Sequence, residues 1–220
     1  MKRIKVCMFD VYGTLFDVYS LQELCESFFP GKGGDIVRLW RQKQLEYSFL
    51  RHMMQQYETF HAITEAALRY ACESMGEELR REQEQQLMGQ YLHLSLHPDA
   101  LELLARCEGK VMAVFSNGSP DMLLPLLQHA GITGLFQHHI SVDALKMYKP
   151  DPRVYEFARS TAGVDKDEIL FFSSNTWDIS GAGHFGFRTV WVNRNGGKMD
   201  RLGVQPEYEV ASLREAAAFL

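Results

Sequence analysis

Ile4-Lys5-Val6-Cys7-Met8-Phe9-Asp10-Val11-Tyr12-Gly13-Thr14 is a short apolar run that ends abruptly in a carboxylate, a glycine and a hydroxyl. The run up to Phe9 is rich in β-branched and aromatic residues and only a few residues long, the profile of a buried parallel strand rather than a helix. Gly13 frees the backbone to turn. An acid at the carboxyl end of a central strand stands where open α/β sheets bind ligands, in the crevice beyond the strand ends. Asp10 is therefore the first candidate for chemistry, against the plainer reading of an Asx turn closing a strand.

The rest of the chain fits around that strand. Its 220 residues suffice for one sizeable core with an elaboration, and 46% hydrophobic with 23% charged residues is the composition of a globular domain. No apolar run approaches a membrane span, and the run after Met1-Lys2-Arg3 meets Asp10 too soon for a secretory h-region, so the expectation is a cytoplasmic protein. Cys7, Cys25, Cys72 and Cys107 lie far apart with no Cys-x-x-Cys pair, which speaks for buried reduced thiols. A net charge of -5 without a Lys/Arg block argues against nucleic acid.

From about Ser20 to Leu96 the texture is helical. Ser20-Leu21-Gln22-Glu23 has capping-box spacing, Ile36 to Met54 repeats apolar residues at threes and fours, a second helix is expected from Thr59 to Met75, and a third over Leu79 to Leu94. From Pro98 onward strands and helices alternate. Strands are expected at Val111–Phe115, His139–Val142, Ile169–Ser173 and Thr189–Val192, with helices at 100–107, 119–130, 151–162 and 178–185 and a capping box at Ser212 opening a terminal helix. Pro125 should kink or break its helix. The fold class is thus α/β: a doubly wound, Rossmann-like parallel sheet core over 1–16 and 97–220, with an all-helical cap over 17–96 inserted after the first strand. A cap placed there covers Asp10 and excludes water from it.

Polar clusters mark four strand ends: Asp10 to Thr14, Ser116-Asn117-Gly118, Lys149-Pro150, and Ser173-Ser174-Asn175-Thr176-Trp177-Asp178. Each alone reads as a turn, a solvated lysine or a cap; their order along alternating strands puts all of them at one sheet edge, where they can converge. With Leu39-Trp40-Arg41-Gln42-Lys43-Gln44-Leu45-Glu46-Tyr47 they resemble, over nearly the whole chain, the haloacid dehalogenase superfamily and within it the type II L-2-haloacid dehalogenases. Superfamily phosphatases carry a second acid two residues after the nucleophile and an acidic pair in the fourth motif. Here those places hold Tyr12 and a Ser-Ser-Asn run before a single Asp178, too few carboxylates for a Mg²⁺ site. No metal and no cofactor are expected.

The resemblance implies a hydrolase that removes halide from short L-2-haloacids. Asp10 would be the nucleophile, forming an ester whose hydrolysis gives a D-2-hydroxy acid. It further implies Lys149 to keep Asp10 ionised, Ser173 and Thr14 to orient it, Tyr155 to orient the lysine, and Asn175 and Asp178 to position the lysine or the water. Arg41 would hold either the substrate carboxylate or the halide. Ser116 and the amides of Val11 and Tyr12 would anchor the carboxylate, Asn117 and Trp177 would face the halide, and Tyr12, Leu45, Phe60 and Trp177 would line an apolar pocket, simple core packing being as good a reading for Leu45 and Phe60. The resemblance also implies a homodimer and a halogenated carboxylic acid as the small-molecule partner. Two alternatives stay open: the same displacement opening a strained ring such as a cyclic imino acid, and a cap-and-core protein that binds a small acid without turnover. The remaining apparent motifs carry less. His93-Leu-Ser-Leu-His97 runs into Pro98 and lacks a zinc protease's glutamate, the adjacent His138 and His139 point to opposite faces of a strand, and Asn195-Gly196-Gly197-Lys198 reads as a turn.

Overall fold

In the computed structural model, which describes residues 3–220, the apolar run before Asp10 forms strand β1 (Val6–Phe9), fully buried along its length. After it come β2 (Phe16–Asp17), α1 (Gln22–Phe28), α2 (Gly33–Met53), α3 (Phe60–Ser74), α4 (Arg81–Tyr91) and β3 (Ser95–Leu96). The remainder alternates as α5 (Ala100–Arg106), β4 (Val111–Ser116), α6 (Pro120–His129), β5 (His138–Ser141), α7 (Pro152–Ala162), β6 (Ile169–Ser173), α8 (Thr176–Phe185), β7 (Arg188–Val192), β8 (Tyr208–Val210) and α9 (Leu213–Ala216). One sheet runs in the order β5-β4-β1-β6-β7-β8 with every pair parallel. The chain steps outward from β1 through β4 to β5, then returns to the other flank of β1 with β6. That reversal makes β1 the topological switch point, so the residues after Phe9 open onto the ligand crevice. Runs such as Ile-Leu-Phe-Phe in β6 are continuously apolar because both sheet faces are covered by helices.

Four expectations need correction. Ser20 caps nothing: Leu21 occupies the N-cap of α1, while the Ser20 hydroxyl donates to the Asp17 carbonyl and accepts the Ser95 N–H. Leu79–Leu94 is shorter than its pattern suggests, since α4 stops at Tyr91 and Ser95–Leu96 pairs antiparallel with Phe16–Asp17, tying together the two crossings between the sheet and the helical segment. Pro125 breaks nothing, because α6 continues to His129; the carbonyl it leaves without an amide belongs to the exposed Asp121, which water can reach. Finally β8 was not foreseen, being three residues after a long irregular stretch. Elsewhere the local chemistry works as read: Thr59 accepts the Ala62 N–H to start α3, Asp151 accepts the Arg153 N–H to start α7, and Gly76 takes φ +70° just beyond the end of α3.

Candidate active site

Lys149 is the structural centre of the site. It is 1% exposed, and its Nζ reaches the Phe115 carbonyl at 2.7 Å, Asp178 Oδ2 at 2.9 Å and Asp10 Oδ1 at 3.4 Å, lying over the Phe115 ring at 4.0 Å. An ammonium so deep needs its charge matched and its donors used, and two carboxylates, a carbonyl and a ring face do this. Asn117 fixes the lysine's backbone by accepting its N–H through Oδ1. Tyr155 reaches the lysine through a third group. Its hydroxyl donates to Asp178 Oδ1 at 2.7 Å, so it holds the carboxylate that holds the lysine. Burial pushes the Asp178 carboxyl up to about 6, against the pull of Lys149 and with a further push from the charge of Asp10.

The two oxygens of Asp10 are treated differently. Oδ2 accepts from Asn175 Nδ2 at 2.7 Å, Thr14 Oγ1 at 2.8 Å and Ser173 Oγ at 3.2 Å; Oδ1 has only the long contact to Lys149. The donors are themselves braced. Thr14 Oγ1 accepts the Ser174 N–H, Ser173 Oγ accepts the Asn175 N–H, and Asn175 Nδ2 also reaches the Tyr12 carbonyl. These bonds sew the turn after β1 to the turn after β6, whose neighbourhood in space is dictated by the parallel β1/β6 register. Gly13 makes the sharp turn at φ +87°, a conformation side chains rarely adopt.

Helix α2 supplies the opposite wall. Arg41, 9% exposed, donates to Gln44 Oε1 at 2.7 Å and to the Tyr12 carbonyl at 3.3 Å. Gln44 also donates to Thr64 Oγ1 and accepts from the Tyr91 hydroxyl, so side chains of α2, α3 and α4 together fix the guanidinium. Gln44 and Tyr91 were missed in the sequence; the available signal was a polar Gln one turn after Arg41 on the helix's apolar side. The Tyr12 ring packs against Phe60 at 5.4 Å and Tyr91 at 5.7 Å, and Trp177 meets Phe49 edge-on at 5.2 Å.

Asp10, Tyr12, Arg41, Leu45, Phe60, Asn117, Asn175 and Trp177 line a narrow cavity of about 10 Å³, room for roughly one water. Asn117 Nδ2 and the Tyr12 hydroxyl are buried and make no hydrogen bond among the described residues. Val11, Thr14, Ser116, Lys149, Tyr155, Ser173 and Asp178 stand behind this wall. The Ser116 hydroxyl accepts the Gly118 N–H at 3.0 Å, and Val11 offers its carbonyl to the amides of Thr14, Leu15 and Phe16. Gly118, read in the sequence only as part of a polar turn, has a packing role: a Cβ there would lie 2.7 Å from Tyr12 Cε2, so only glycine leaves the ring its place. The residues present do not suit a divalent cation, because the position between Asp10 and Asp178 is taken by an ammonium; among the described residues no group of three or more His, Cys, Asp or Glu could hold one. His93 instead packs against the His129 ring at 4.3 Å in a tilted arrangement, and the His97 backbone N–H donates to the Leu15 carbonyl.

Comparison with known proteins places this geometry. The family model for haloacid dehalogenase-like hydrolases matches residues 4–186. An (S)-2-haloacid dehalogenase of Pseudomonas sp. strain YL is 47% identical over 217 residues, covering 97% of this chain and 93% of its own. A haloacetate dehalogenase, H-2, of Moraxella sp. strain B is 44% identical over 213 residues, covering 96% and 95%. A solved structure of L-2-haloacid dehalogenase from Xanthobacter autotrophicus with chloropropionic acid covalently bound superimposes with a TM-score of 0.93 at 36% identity, covering 98% of each chain.

Proposed function

The chain belongs to the haloacid dehalogenase-like hydrolases, and from that premise we propose that it hydrolyses short L-2-haloacids without a metal ion, through an ester on Asp10. The observation that carries the reading is the unequal dress of the Asp10 carboxylate. Oδ1, with one long contact to Lys149, keeps lone pairs for attack, while Oδ2 rests on three donors. Attack of Oδ1 on C2 from behind the carbon–halogen bond forms the C–O bond as halide departs, inverting the centre. Oδ2 then becomes the ester carbonyl oxygen. When water adds to that carbonyl, the developing negative charge falls on Oδ2, where Asn175, Thr14 and Ser173 already point their protons. Collapse returns the Asp10 carboxylate and a D-2-hydroxy acid.

In-line displacement favours one of the two roles left open for Arg41. The nucleophile comes from the sheet edge, so the halide must leave toward the wall that Arg41, Leu45 and Phe60 supply. Arg41 therefore receives the halide, assisted by the unpaired Asn117 Nδ2 and by Trp177. The carboxylate then turns to the Val11 and Tyr12 amides, which take no part in the hydrogen bonds of the turn, and to the Ser116 hydroxyl, whose own proton goes to no acceptor among the described residues. Lys149 acts through Asp10 rather than on substrate, and Asp178 and Tyr155 hold Lys149. Halide release from L-2-chloropropionate in EDTA tests the proposal. Release that depends on added Mg²⁺, or cleavage of phosphate esters instead, contradicts it.

Residues 17–96 serve in this reading as the cap that closes over Asp10. A second copy of the chain is proposed for the exposed apolar end of α2, where Leu50, Met53 and Met54 stand in solvent. Sedimentation should give a dimer that Leu50→Glu with Met53→Glu dissociates; a wild-type monomer refutes it. Four buried free thiols suit a reducing compartment, and no helix among the described residues is long and apolar enough to cross a membrane.

A further inference from the structure

The cavity at Asp10 holds about one water, and a haloacid needs several times that room. Something must move to admit it. Of the residues that line the cavity, Trp177 also lines an open and mainly apolar groove of about 500 Å³ along α8, walled by Pro150, Pro152, Phe185 and Leu202 with Lys166 and His184 at its margin. Elsewhere the seam between the helical segment and the sheet domain is pinned. His52 Nε2 meets Asp151 Oδ2 at 2.9 Å, Tyr57 bonds Asp143, the Tyr148 hydroxyl donates to the Glu58 carbonyl at 2.7 Å, and Arg41 reaches the Tyr12 carbonyl. At Trp177 there is no such fastening. It is half-buried, its indole N–H makes no hydrogen bond among the described residues, and the half-buried Phe49 touches it edge-on.

We infer that the haloacid reaches Asp10 from the α8 groove by a swing of Trp177 away from Phe49, the helical segment staying closed. The groove suits a small anion with an apolar end: Pro150, Pro152 and Leu202 accept the alkyl part while Lys166 supplies positive charge at the rim. Phe49 and Trp177 then set which haloacids pass, with Phe49 touching no reacting atom and acting by position. The inference rests on the dehalogenase reading.

Two variants in one halide-release assay test it. Leu202→Trp fills the groove at a residue 55% exposed and outside the catalytic machinery; kcat/KM for L-2-chloropropionate should fall about fivefold or more, with the rate of ester hydrolysis in a single turnover unchanged. His52→Cys with Arg153→Cys, joined by a short bismaleimide, clamps the seam where both side chains meet Asp151. The four native cysteines are buried and escape labelling. Clamped protein should keep at least half its kcat/KM. Unchanged kcat/KM in Leu202→Trp, or loss of turnover on clamping, overturns the gate and leaves the dehalogenase reading standing. A wild-type protein that releases no halide from any short haloacid overturns both.

Discussion

The sheet edge around Asp10 and the helical wall facing it are built on opposite principles. At the sheet edge, charged and polar groups are buried and almost every one has a partner: Lys149 between two carboxylates, Asp178 between Lys149 and Tyr155, Asp10 Oδ2 among three donors. The facing wall relies on Phe60, Phe49 and Leu45 packed around a single buried cation, Arg41, and meeting the Tyr12 and Trp177 rings that the sheet domain presents to it. A buried ion network permits one arrangement, since each member lost strands another, whereas packed apolar groups trade shape at modest cost. In the proposed mechanism the edge would hold the fixed geometry of displacement and the wall the choice of substrate.

Substitutions at the edge should break both folding and chemistry. Lys149→Met leaves two buried carboxylates facing each other, and chemical denaturation should show a loss of about 3–5 kcal/mol together with abolished halide release. A stable variant would show the network to be less interdependent than its geometry implies. Asp178→Asn separates chemistry from folding through pH. Because burial raises Asp178 to about 6, lowering the pH through 6 protonates it and releases Lys149, so wild-type activity should decline there. The stability contribution runs the other way: it is full below the ordinary carboxylate value and lost as pH rises through about 6. Asp178→Asn should remove that acidic limb from the rate profile, and its persistence would assign the limb to another group. Tyr155→Phe deletes one donor to Asp178, costing about 1–3 kcal/mol and moving the limb upward in pH.

Changes at the wall should be smaller and selective. Gly118→Ala presses on the Tyr12 ring and should cost about 1–3 kcal/mol by overpacking, with KM rising more than kcat falls. Leu45→Ala should leave the melting temperature within a few degrees of wild type and shift preference toward longer haloacids by about 1–3 kcal/mol in transition-state binding, read as the ratio of kcat/KM values. If Leu45→Ala were as damaging as Lys149→Met, the division between edge and wall would fail.

Much of this was legible in the chain because its signals were local. A strand ending in an acid, glycines at turns and alternating periodicities located β1, the parallel sheet and the helical insertion, and topology alone gathered Asp10, Asn117, Lys149 and Asn175 at one edge. What escaped depended on partners distant in sequence. Ser20 had the spacing of a cap, but Asp17 and Ser95 engaged its hydroxyl first. Tyr155 lay near Lys149 in sequence, yet its bond goes to Asp178, 23 residues further on. A polar Gln44 on the apolar side of α2 was the one local sign of a brace for Arg41; nothing local marks Tyr91 as its partner, because that pairing arises from the packing of α2 against α4. The strands β3 and β8 are too short to have periodicity, and their partners define them.

The central claim is that Asp10 Oδ1 itself becomes bonded to substrate. Single-turnover reaction of excess protein with L-2-chloropropionate in H₂¹⁸O and EDTA, followed by mass spectrometry of the peptide containing Asp10, measures this directly. The account predicts ¹⁸O in the Asp10 carboxylate, ¹⁶O in the new hydroxyl of D-lactate, and no product from Asp10→Asn. Label in the lactate hydroxyl with an unlabelled Asp10 would mean that water attacks C2 directly, and the ester mechanism would be wrong.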